Sequence, residues 1–139
     1  MNLLTGMTMG SGTSSSEANK RRLSSFRVIA AGTSWRLFGS RRAAETLLQA
    51  AAGDDEQNRM LAGMSLVKGG QRSFDLIENQ LAAGKASAPL LRLLPDIDAV
   101  RARGVLDKAV QGESGEIAET ARECIDLLDR IGELEKDES

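Results

Sequence analysis

From Ala43 onward the sequence is a succession of short stretches with apolar stripes, each stopped by glycine, proline or an acidic turn. Gly53, Gly69-Gly70, Gly84, Pro95 and Gly112 do the stopping. An isolated helix shorter than about 12–15 residues is marginal in water, so stretches of this length must bury their stripes against one another. Recurring turn signals between short helices point to stacked helical repeats. The apolar residues are mostly Ala, Leu, Ile and Val, with three Phe, one Trp and no Tyr. Ala and Leu favour helix, whereas β-branched and aromatic runs would favour strands. The expected fold is therefore all-α, a short helical-repeat stack of about six helices.

Four segments are expected along the chain. Residues 1–20 include Gly10-Ser11-Gly12-Thr13-Ser14-Ser15-Ser16 and read as a disordered tail with nothing to bury. Residues 21–39 form a basic segment, with Trp35, Leu37 and Phe38 able to cap the open end of the stack. Residues 40–132 are the helical domain, and 133–139 an acidic tail. Within the domain, Ser40 and Gly53 bracket a first helix striped by Ala44, Leu47, Leu48 and Ala51. Asp54-Asp55-Glu56 opens a second, whose inward face is expected to be Met60, Leu61, Met64 and Val67. Ser73 opens a third, with Phe74, Ile77 and Leu81 inward. A short helix over 86–94 is broken by Pro95. Asp96 or Asp98 caps a fifth, burying Val100, Leu106 and Ala109, and the last is striped by Ile117, Ala121, Cys124, Ile125, Leu128 and Ile131.

A shift of 42 residues sets Leu48 on Leu90, Gly53 on Pro95, Asp54 on Asp96, Arg59 on Arg101 and Gly70 on Gly112. The spacing of Gly53, Gly84 and Gly112 also permits two-helix units of about 30 residues. Asp55 to Ala62 (DEQNRMLA) and Pro95 to Gly104 (PDIDAVRARG) resemble the HEAT and armadillo helical repeats. The resemblance covers residues 40–132. It implies that Arg59 and Arg101 are structural residues between repeats, each bonding turn carboxylates or carbonyls, with Ala62 and Gly104 letting helices approach.

Histidine is absent and Cys124 is the single cysteine. An intrachain disulfide, a His- or Cys-based zinc site and Ser-His-Asp or Cys-His catalysis by this chain alone are thereby excluded. Neither phosphate-loop pattern, G-x-x-x-x-G-K-[ST] or G-x-G-x-x-G, occurs. The carboxylates Asp54, Asp55, Glu56, Asp96 and Asp98 stand where helices start, which is where caps belong. Cys124 lies on an apolar stripe and reads as core. No catalytic residue, cofactor or metal is expected.

Charge is unevenly distributed. Residues 1–42 hold seven basic side chains and Glu17 alone, a balance of +6, while residues 43–139 hold 11 basic and 19 acidic groups, −8. Lys20, Arg21, Arg22, Arg27, Arg36, Arg41 and Arg42, interleaved with Phe26, Trp35 and Phe38, make the candidate interaction cluster. Basic groups with aromatics suit phosphate backbones and unpaired bases, or an anionic membrane surface. The leading expectation is a non-enzymatic scaffold for a protein partner, the alternative a nucleic-acid-binding accessory protein using residues 20–42. No apolar run approaches the roughly 20 residues of a membrane span. The cytoplasm is the expected compartment, or an organelle if the Arg- and Ser-rich start is a transit peptide.

Overall fold

The computed structural model describes the backbone of residues 2–138 and the side chains of residues 17–136. Those residues form eight helical elements and no strand: α1 (Asn2–Phe38), α2 (Arg41–Ala52), α3 (Glu56–Lys68), α4 (Gln71–Ala82), α5 (Ala88–Leu91), α6 (Leu94–Ile97), α7 (Ala99–Gly112) and α8 (Gly115–Glu138). The Gly/Ser-rich tract expected as a tail lies in the amino-terminal part of α1, where side chains fall outside the described residues. Residues 17–23 of α1 are exposed, and burial starts at Ser24. The acidic residues 133–136 are likewise exposed, on the helical backbone of α8.

The caps are largely those the sequence chemistry dictates. Ser40 accepts from the Ala43 N–H, Asp55 from the Asn58 N–H at 3.0 Å and Asp98 from the Arg101 N–H at 3.0 Å. Each satisfies one of the orphan donors of a first turn. Pro95 acts otherwise than expected. It sits in the first turn of α6, where a missing N–H costs nothing, so residues 88–97 make two short turns instead of one helix that proline ends.

The helices α1, α2 and α3 pack pairwise, α5 and α6 bridge them to α4, α7 and α8, and α7 pairs with α8. One apolar core runs through all of them, from Val28 and Trp35 through Leu47, Leu66, Phe74, Leu91 and Leu106 to Cys124. Three expected stripes are corrected, that of α8 at Ile131, which is 44% exposed. In α3 the inward residues are Asn58, Ala62, Gly63 and Leu66, while Met60 and Met64 are more than half exposed. In α7 the stripe is Ala102, Leu106 and Ala109, which turns Val100 outward at 89% exposure.

Burial and backbone conformation also correspond between stretches of the chain 30 to 31 residues apart. Ala31-Gly32-Thr33-Ser34 in α1 corresponds to Ala62-Gly63-Met64-Ser65 in α3, and both Ala-Gly pairs are buried. Gly39 and Gly70, again 31 apart, end these segments with φ of 64° and 63°, a left-handed conformation that costs other residues dearly. The buried and exposed positions of residues 41–50 in α2 recur unchanged over 71–80 in α4. The 42-residue register does not give these correspondences. Gly32 is small because α3 passes over it: a Cβ there would lie 2.4 Å from Ser65 Oγ.

Candidate docking surface

The side of α3 that turns away from the core borders an open concavity. Met60 and Met64, four residues apart, stand on one helical face. With Ala51, Gly63, Val67, Pro89 and Leu93 they line an open groove of about 810 Å³ between α3 and the α5–α6 turns. Gly63 leaves its floor low, since a Cβ there would meet Leu93 Cδ2 at 3.3 Å. On the other side of Met64 a smaller depression lies between α1 and α3, lined by Ile29, Gly32, Thr33 and Leu61. Ile29 leads on to a third, beside Phe26. Met64 and Ile29 are each shared between neighbouring depressions, so the exposed Phe26, Ile29, Met60 and Met64 belong to one surface across α1, α3 and α5.

The rim of this surface is predominantly basic: Arg21, Arg22, Arg36, Arg59, Lys68 and Arg92 outweigh Glu56 and Asp96. Arg92 Nη2 also reaches Glu123 of α8 at 3.5 Å, an exposed pair. Of the basic cluster expected from the sequence, the fold therefore brings Arg21, Arg22 and Arg36 together here. Lys20, Arg27, Arg41 and Arg42 are exposed but do not line the surface.

Trp35 lies inside, 5% exposed, with Nε1 donating to Ser73 Oγ at 2.9 Å. Arg72 donates to the Trp35 carbonyl at 2.9 Å and lies 5.8 Å from its ring centroid. Leu37 and Phe38, expected beside Trp35 as a cap, are exposed at 61% and 78%.

The two arginines expected between repeats occupy different settings. Arg59 is exposed on the groove rim and makes no ion pair among the described residues. Arg101 ties α7 to α4: it contacts Asp75 at 2.6 Å, Gln71 Oε1 at 2.8 Å and Glu78 at 3.6 Å, and lies 4.1 Å from the centroid of the Phe74 ring. Gln71 in turn donates to Asp98 Oδ2 at 2.9 Å. The Arg101 N–H and Gln71 hold the Asp98 carboxyl below its ordinary value. Arg103 pairs with Asp129 and fastens α7 to α8.

The carboxylates Asp55 and Asp98 are engaged as caps. Burial pushes the Cys124 thiol above its usual range, the opposite of activation. Among the described residues no cluster of acidic or thiol side chains is arranged to hold a metal, and no helix is long and apolar enough to cross a membrane.

Helical spacing points the methionines to the core, but Asn58, Ala62 and Leu66 keep that spacing equally well. The signal that separates the two faces is the recurrence of Ala31-Gly32-x-Ser34 as Ala62-Gly63-x-Ser65, which marks the small-residue face as the packed one. No protein-family description, curated protein or solved structure matches the chain.

Proposed function

We propose that this chain is a non-enzymatic protein-interaction scaffold, a short helical-repeat stack whose α1–α3–α5 surface takes an amphipathic helix from a protein partner. Its layering of two-helix units is HEAT- or armadillo-like, although a unit of about 31 residues is shorter than the roughly 40–47 of those families. The observation supporting the reading is the exposed Met60–Met64 pair set in a concave apolar groove with a basic rim. Methionine is flexible and polarisable and adapts to irregular partners. Concave apolar grooves between helices are the receiving half of helix-in-groove recognition. The rim selects for acidic flanks on the incoming helix.

Nucleic-acid binding is the second reading, favoured by the exposed Arg21, Arg22 and Arg36 beside Phe26. It ranks lower because Trp35, the best stacking ring, is committed to Ser73. Fluorescence anisotropy discriminates the two, with a labelled leucine- and glutamate-rich amphipathic helical peptide, its lysine-substituted twin and a random single-stranded oligonucleotide as probes. The acidic peptide should bind, and Met64→Glu should abolish binding without loss of helical circular dichroism. Oligonucleotide binding that falls steeply with salt and ignores Met64→Glu would establish the second reading in its place.

A further inference from the structure

The same chain carries a segment with the chemistry this groove selects. Leu127, Ile131 and Leu134 follow one another on one face of α8 and are 52%, 44% and 64% exposed, so the core leaves this stripe uncovered. Glu123, Asp126, Glu133 and Glu135 flank it against Arg130, the single cation among residues 123–135, and Asp137 and Glu138 follow in the sequence. The turn at 113–114 makes α7 and α8 a hairpin, and the Arg103–Asp129 pair sets its register. Four residues before Arg103, α7 begins at Ala99, which stands level with residue 133, so the helix from Leu134 onward has no α7 beside it.

The stripe cannot serve its own groove. The α8 helix is unbroken from Gly115 to Glu138, is packed on α7, and contributes no residue to the Met60–Met64 groove. We infer that the occupant is the carboxy-terminal part of α8 from a second copy of this chain, with Leu127, Ile131 and Leu134 seated against Met60, Met64 and Leu93. Charge complementarity commits the choice: Arg59 and Lys68 on the rim, with Arg21, Arg22 and Arg36 beyond them, outweigh Glu56 and Asp96, and the border of the stripe is net acidic. Groove and stripe are different surfaces, so the contact is head-to-tail. A head-to-tail contact leaves one groove and one stripe free at the ends, and copies add until a ring closes or the chain runs on.

The inference rests on the reading of the groove as a helix-docking site, and the test separates the two. The full chain is examined by sedimentation velocity over a concentration series at low salt, where its mean mass should rise steadily with concentration. At about 1 M salt, where the Debye length is about 3 Å, association should weaken. Met64→Glu blocks the groove, and Ile131→Lys with Leu134→Lys blocks the stripe. Each replaces side chains at least 44% exposed, and circular dichroism confirms that the helices persist. Each variant alone should be monomeric, and an equimolar mixture should form a dimer and nothing larger, since only one good groove and one good stripe remain. A parent chain that stays monomeric throughout overturns the inference, as does either variant associating alone, or a mixture that stays monomeric. If the acidic peptide still binds the groove in that event, the docking reading stands and only the occupant is wrong. If the peptide fails too, both fall.

Discussion

Trp35 joins the end of α1 to the start of α4 through one buried hydrogen bond, its indole N–H donating to a Ser73 hydroxyl that is fully buried. A buried polar group deprived of its partner costs the full desolvation of that group. Trp35→Phe keeps a ring in place and orphans the hydroxyl, so it should destabilise the chain by about 1–3 kcal/mol in urea unfolding. Adding Ser73→Ala should return part of the loss, and a double variant no better than the single one would show that ring packing alone mattered. Asp98 supplies the titrating counterpart. Its carboxyl is held low chiefly by the Arg101 N–H and then by Gln71, so the folded form holds its proton less tightly than the unfolded chain. The associated stability is fully present above the unfolded carboxylate value of about 3.9 and is lost as pH falls through the lower folded value. Asp98→Asn keeps a capping oxygen without that titration. Below pH 4 its unfolding free energy should fall less steeply than the parent's, and parallel curves would remove Asp98 from the acid response.

At the scale of the helix, α3 shows what a stripe in a sequence does and does not determine. Met60, Leu61, Met64 and Val67 have helical spacing, and so do Asn58, Ala62 and Leu66. Periodicity established the helix but left its rotation open, because a helix with apolar residues on two sides satisfies the same period twice. Two local facts choose the face. Small residues at Ala62 and Gly63 admit neighbouring helices, and Asn58 is buried only because Ser24 and Ser25 meet its amide at 2.7 and 2.9 Å. That partnership is long-range, and no reading of residues 54–70 alone reveals it. The helices α2, α4 and α8 were legible because each has one dominant stripe, and the caps Ser40, Asp55 and Asp98 because capping is local chemistry. The groove was not legible, since it is made of the face that loses the competition. Leu66→Ala should cost about 2–5 kcal/mol. Met60→Ala and Met64→Ala should each stay within about 0.5 kcal/mol, as exposed positions do. Guanidinium unfolding of the three variants checks the assignment, and equal losses at Met64 and Leu66 would restore the methionines to the core.

Over the whole molecule, Arg21, Arg22 and Arg36 of α1 share one rim with Arg59, Lys68 and Arg92, while α8 carries acidic residues at the far end of the chain. What lies between them is one core, and its continuity decides how the stack unfolds. Repeat arrays can unfold in pieces when interfaces between units are weak. Here the buried residues run without interruption from Val28 in α1 to Cys124 in α8, and Arg101 ties α7 to α4 across the junction. Two-state unfolding is the expectation for one domain of this size with one core. Trp35 permits a direct test, because it reports from the first helices while most of the helical signal comes from elsewhere. Leu106 lies in α7 and is fully buried, so Leu106→Ala should cost about 2–5 kcal/mol. In a single cooperative unit the variant's fluorescence and circular dichroism midpoints should move together and by the same amount, although the substitution is remote in sequence from the indole. An unmoved Trp35 transition beside a shifted circular dichroism curve would divide the stack into independently melting parts. The α1–α3 part of the proposed docking surface would then be a property of the amino-terminal part alone, and should persist when α7 and α8 unfold.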